Sequence, residues 1–204
     1  MPDTAVSISD LIRKARKHEP GALDRLLESY RQYLKLLART GIDHSLQGKA
    51  DPPDLVQEAF LKAHLHFKQF HGHSEAELTA WLRRILARNL ADLTRRYHLA
   101  ESHRAGRERS LERLLDTSSQ ALDNLLADAA GSPSESAQRR ELSVVLANAL
   151  AELSDEQREV VVLHSLEERD WDETARCMKR TVGATRMLWT RALKALRPLL
   201  EQKL

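Results

Sequence analysis

A single cysteine, Cys177, excludes an internal disulfide framework and fits a reducing compartment. Glycine and proline are scarce, at seven and six residues, and Val160-Val161-Val162 is almost the only β-branched run. Leu, Ala and Arg dominate instead, so these shortages argue for helices throughout. No apolar stretch approaches the roughly 20 residues that cross a bilayer. The N-terminal "MPDTAVSISDLIRKARKHEP" is amphipathic, without the apolar block of a signal peptide. A cytoplasmic chain without membrane insertion is therefore expected. Gly-rich phosphate loops, HExxH helices and nucleophile elbows are also missing, so nothing points to catalysis or to a cofactor. His64, His66, His71 and His73 do not make a metal site: the first two are two apart on a helix and diverge, and no cysteine lies near.

The net charge of +2 hides a segregation. Lys179 to Arg197 holds six basic residues and no acid, and Trp81 to Arg113 holds nine arginines against four acids. Acids gather at Asp51, Asp54 and Glu58, and again from Glu152 to Glu173. Two basic faces for a polyanion, with separate acidic faces for another partner, fit this arrangement.

Periodicity places helices from about Ser9 to Thr40, broken at Pro20-Gly21, then through "DLVQEAFLKAHLHFKQF" and "ELTAWLRRILARNLADLTRRY". Asp51 ahead of Pro52-Pro53, and Ser74 with Glu77, supply N-terminal caps; "TGIDHSLQGKADPP" and "HGHS" read as loops. This makes one bundle of four helices, residues 1–97. Residues 98–136 lose the pattern and read as a tether, partly helical at best. From 137 to 204 a second helical domain follows, opening near Ser132-Pro133 with Glu135, capped again at Ser154 with Gln157. It closes with two helices in close succession, "DWDETARCMKR" and "TVGATRMLWTRALKAL". Cys177, a small side chain in the first of these, is expected to be buried.

That final pair has the form of a helix-turn-helix, whose second helix enters the major groove. Thr181 and Gly183 lie in its first turn, where free N–H groups suit a phosphate and glycine allows close approach. Arg186, Met187, Thr190, Arg191 and Lys194 fall on its outward side. An ordinary amphipathic surface helix with a solvated basic face fits these residues equally.

"DLVQEAFLKAHLHFKQF" followed by "AELTAWLRRILARNLADLTRRY" resembles region 2 of bacterial sigma factors. "LAELSDEQREVVVLHSLEERDWDETARCMKRTVGATRMLWTRALKALR" resembles their region 4. Order and spacing resemble the small two-domain members, the extracytoplasmic-function (ECF) sigma factors. The resemblance implies an all-α fold of two small helical domains, a region 2 bundle and a region 4 helix-turn-helix, joined by a flexible linker. It implies a non-enzymatic subunit that binds core RNA polymerase and opens promoter DNA. Asp54, Leu55, Gln57, Glu58 and Phe60 would dock on the β′ clamp helices; read without the resemblance, Phe60 is core and the acids cap a helix. His71, Gly72, His73 and Ser74 would capture an extruded −10 base. Arg84, Arg88, Asn89, Arg95 and Arg96 would hold the separated strand. The last helix would read the −35 element while its apolar side meets the β flap.

An anti-sigma factor is a further implied partner. Two departures stand out. Lys179-Arg180 replaces the usual glycine in the final turn, and Met187-Leu188 replaces the family's Ser-Arg. A stand-alone helix-turn-helix regulator, or a sigma decoy or scaffold without DNA binding, are the competing readings.

Overall fold

The computed structural model describes residues 7–42, 50–97, 104–130 and 136–202. The loop reading of 43–49 and the helix start at Ser132-Pro133 lie outside these. The chain divides into two compact units, residues 1–115 and 116–204.

In the first unit, α1 (Ile8–Arg16) starts at Ser7, whose hydroxyl accepts the Asp10 N–H at 3.1 Å. The break that follows is deeper than a proline alone would make. His18 and Gly21 both adopt positive φ, 57° and 71°, the latter at the N-cap of α2 (Ala22–Ser29). Tyr30 then separates α2 from α3 (Arg31–Gly41), so the long helix read there is two. The cause is local: the Tyr30 N–H turns back to the Leu27 carbonyl at 3.0 Å, while its ring is fully buried beside Tyr33. Pro52 and Pro53 open α4 (Pro52–His66), where a missing N–H costs nothing. A 3₁₀ turn (Phe67–Gln69) and a loop lead into α5 (Glu75–Tyr97).

α4 packs on α3 and α5, and α1 on α2. Leu26, Leu27, Leu34, Leu37, Val56, Ala59, Leu78, Leu82 and Leu86 fill the space between. Each buried leucine contributes about 1.5–3 kcal/mol relative to exposure. Phe67, Phe70 and Trp81 form a ring cluster, with centroids 5.2–6.2 Å apart, directly beneath the loop before α5.

The stretch read as a tether contains α6 (Arg104–Ala130), a single helix of 27 residues. Leu115, Leu122 and Leu125 recur on one face, and the small polar residues between them, Ser118 and Ser119, are buried. Small side chains that looked like loop composition serve close packing here. The boundary between units falls inside this helix, after Leu115.

The second unit continues through α7 (Ser136–Glu152), α8 (Asp155–Val161), a π-helical turn (Val162–Leu166), α9 (Trp171–Met178) and α10 (Val182–Glu201). Three side-chain caps set its register. Ser154 and Gln157 make a reciprocal capping box. Asp170 accepts the Glu173 N–H at 2.7 Å, and Thr181 the Ala184 N–H at 3.2 Å. α7, α8 and α9 all pack on α10, burying Leu146, Leu150, Val160, Val161, Ala175, Ala192 and Leu196. No helix among the described residues is long and apolar enough to cross a membrane.

Candidate nucleic-acid and protein interfaces

On α4, helical spacing puts Asp54, Gln57, Glu58, Leu61 and Leu65 on one stripe. Asp54 and Gln57 are exposed, and Glu58 is half-buried with Lys62 Nζ 3.0 Å away. Leu55 and Phe60 are not on that stripe. Phe60 is only 6% exposed, its ring covered by the Arg31 guanidinium at 4.9 Å, and Leu55 is equally buried. Both residues complete the bundle core, which is the reading of Phe60 made without the resemblance, and neither offers an exposed side chain for docking. Leu61 and Leu65 are the apolar groups that do reach the surface, 58% and 77% exposed. The sequence held this signal, because Val56, Ala59 and Ala63 already satisfy the inward face and leave two leucines over.

The loop His71–Ser74 is held from both sides. Arg16 of α1 donates from Nη1 to the Gly72 carbonyl at 3.1 Å, and the same nitrogen lies 2.8 Å from His73 Nδ1. From α5, the Glu77 carboxylate accepts the His73 and Ser74 N–H groups at 2.9 and 3.0 Å, and the Ser74 hydroxyl at 2.9 Å. The bond from the His73 N–H, then those from Ser74, hold the Glu77 carboxyl below the usual carboxylate range. Gly72 is required here, since a Cβ would lie 2.5 Å from the Phe70 ring and 2.8 Å from Glu77 Cβ. His71, His73 and Ser74 remain exposed on this fixed backbone.

Along α5, Arg84, Arg88, Arg95 and Arg96 are exposed. Arg88 pairs with Glu108 at 2.7 Å and Arg95 with Asp92 at 3.1 Å, solvent-facing pairs that are weak and exchangeable. Asn89 does not join them. It is 1% exposed, accepts from Lys62 Nζ at 2.6 Å and donates towards the Leu55 carbonyl at 3.4 Å. Its position on the apolar face decides this; it bonds within the bundle and presents nothing to a strand.

In the second unit the turn from α9 to α10 places Lys179 in the left-handed region, φ 53° and ψ 44°. This is where glycine would serve best, and Lys179 carries the strain itself. Arg180 ties the turn to α8 through Glu156 at 2.6 Å. Thr181, Gly183, Arg186, Met187, Thr190, Arg191 and Lys194 are all exposed along α10. Met187 is 58% exposed, a large apolar group among cations. The Arg186 guanidinium lies 5.3 Å over the Trp171 ring, itself stacked on His164 at 3.6 Å. Trp189 meets both rings edge-on and donates to the Ser165 hydroxyl at 3.2 Å. His164 Nδ1 donates to the Arg169 carbonyl at 2.9 Å.

The stacking of His164 on Trp171 depends on the π-helical turn that carries His164, for which the sequence offers no signal. Cys177 is exposed, with Arg169 Nη1 3.3 Å from its Sγ, which corrects the expectation of a buried thiol. Among the described residues no cluster of three or more His, Cys, Asp or Glu could hold a metal ion.

Residues 26–98 match the family model for sigma-70 region 2, and residues 149–198 that for sigma-70 region 4. A curated relative, the ECF RNA polymerase sigma factor BldN of Streptomyces coelicolor, is 31% identical over 193 residues, 94% of this chain. The chain spans 65% of that relative's length. A solved chain from the structure of an RsbN–BldN complex is 21% identical, with 93% of this chain and 99% of that chain covered and a TM-score of 0.33.

Proposed function

Because this chain belongs to the sigma-70 family in its ECF form, with region 2 ahead of region 4, we propose that it is a dissociable initiation subunit. It binds core RNA polymerase, recognises promoter DNA through both units and opens the duplex. The carrying observation is the presence of both regions, in order, on two separately packed helical units with exposed basic faces.

In this reading region 2 occupies residues 1–97, region 4 residues 137–204, and 98–136 connects them. The α4 stripe of Asp54, Gln57 and Glu58 meets the basic β′ clamp helices, with Leu61 and Leu65 as its apolar anchors. His71, Gly72, His73 and Ser74 receive an extruded −10 base. Extrusion costs a few kcal/mol, recovered by stacking and hydrogen bonds on a backbone that Arg16 and Glu77 have already fixed. Arg84, Arg88, Arg95 and Arg96 follow the separated strand. Thr181, Gly183, Arg186, Met187, Thr190, Arg191 and Lys194 face the −35 groove, and the unit meets the β flap on another face, since the apolar side of α10 is buried against α7, α8 and α9. Each unit makes few contacts, so affinity for DNA appears when the polymerase fixes both together.

An anti-sigma factor that covers these same surfaces is the proposed regulator, and a native pull-down yielding only polymerase counts against it. In vitro transcription with purified core enzyme on a promoter library tests the main reading. Start-site-specific transcripts that require the added chain support it; tight binding of a palindromic duplex by the chain alone, with no such transcripts, favours a stand-alone regulator.

A further inference from the structure

α1 lies outside the surfaces assigned so far, yet it forms one wall of an open cleft of about 440 Å³ against the loop before α5. Ser9, Ile12, Arg13, Arg16 and Lys17 line it from one face of α1, and His73 lines it from the loop. Such a volume falls in the range of small-ligand sites, about 300–1,000 Å³. Ile12 is buried beneath, while Arg13, Lys17 and His73 are exposed.

The chemistry of the lining is that of an anion seat beside a flat ring. Three cations converge on one helical face. No carboxylate among the described residues lines the cleft, and two on the same elements are engaged: Asp10 pairs with Arg13 at 2.6 Å in the open, and Glu77 accepts the His73 and Ser74 N–H groups. An exposed pair of this kind is readily shared with a phosphate. Arg16 is not a free cation in the same sense, because its Nη1 is bonded to the Gly72 carbonyl and the His73 ring. It is a positioning residue that fixes the wall, so a ligand meets a site formed in advance.

We propose that this cleft seats a phosphodiester of the separated promoter strand, next to the nucleotide captured by the 71–74 loop. Arg13 and Lys17 hold the phosphate and the His73 ring stacks on the adjoining base. This rests on the promoter-opening function proposed above. It extends the strand-binding surface beyond α5 and its loop to α1.

The test uses the full chain assembled with core RNA polymerase and a fluorescent single-stranded oligonucleotide carrying a library-selected −10 element. Arg13→Ala and Lys17→Ala each weaken binding by about 3–10-fold, and each flattens the dependence of log affinity on log salt by about 0.7. Both side chains are exposed, so thermal unfolding is unchanged and serves as the folding control. Replacing phosphates one at a time by neutral methylphosphonate weakens the wild type at one or two positions. Those substitutions have no further effect in the double variant. Arg16→Lys leaves the salt dependence intact but narrows the difference between the −10 oligonucleotide and one with an abasic site at the captured position.

Unchanged affinity and salt slope in the double variant overturn the proposal. So does weakening that no single methylphosphonate reproduces, which is the signature of diffuse charge alone. Wild-type complex that binds a scrambled oligonucleotide equally well overturns the promoter-opening function itself, and is recognisable as such because it precedes any effect of Arg13 or Lys17.

Discussion

The two elements assigned to DNA are built by different means. The His71–Ser74 loop is fixed by one distant partner and one local one, with Arg16 reaching it across more than fifty residues and Glu77 capping it from the first turn of α5. The turn before α10 is held at shorter range, by the Thr181 cap, by Lys179 in a backbone conformation that glycine would take more cheaply, and by Arg180 paired with Glu156 of α8. The first suits a pocket that must recover the cost of an extruded base, where loose walls would waste the interaction. The second suits a helix that lies in a groove already formed, where position along the groove matters more than the rigidity of the preceding turn.

The largest effect is expected at Gly72. Gly72→Ala forces a Cβ into the Phe70 ring and costs about 1–3 kcal/mol in thermal unfolding. Because the loop moves, promoter opening falls by roughly 10-fold or more on every promoter. Retention of full opening would show that the loop's shape is not used.

The arginines sharpen the division of labour. Arg186→Ala is expected to cost about 1–3 kcal/mol at one −35 position and to relax preference there. Arg88→Ala lowers opening on all promoters by a similar factor without changing preference. Selection from a promoter library with each variant reads both outcomes, and identical profiles would contradict the assignment.

A smaller effect is expected at Lys179. Lys179→Gly relieves the left-handed strain and stabilises the second unit by about 1 kcal/mol, seen as a higher melting temperature with unchanged −35 preference. The smallest, at neutral pH, concerns Glu77. Its carboxyl is held below the ordinary range, so its bracing is intact above the unfolded value and is lost only as pH falls through the lower folded one. Amide protection at His73 and Ser74 therefore stays flat from neutral pH down through the ordinary carboxylate range, and declines only below it. Glu77→Gln removes that acid dependence; an unchanged acid transition in this variant would assign it to another group.

The same contrast decides what was legible beforehand. Local chemistry was: the Ser74–Glu77 and Ser154–Gln157 caps, the prolines opening α4, and the exposed cations of α10 all stand where spacing puts them. Residues whose role depends on tertiary packing were not. The resemblance drew Asn89 and Phe60 outward, although spacing alone puts Phe60 in the core; both point into the bundle, and Leu61 and Leu65 take the surface instead. Ser118 and Ser119 looked like linker because composition alone cannot distinguish a polar loop from a closely packed helix face. Arg16 gave no sign at all, since nothing near it in sequence predicts a bond to Gly72.

The most direct measurement is permanganate reactivity of thymines around a mapped start site, with the chain alone, core polymerase alone, and both together. Reactive, unpaired thymines are expected only when both are present. Reactivity with core alone, or a closed duplex despite stable association of chain and core, would contradict the proposed function.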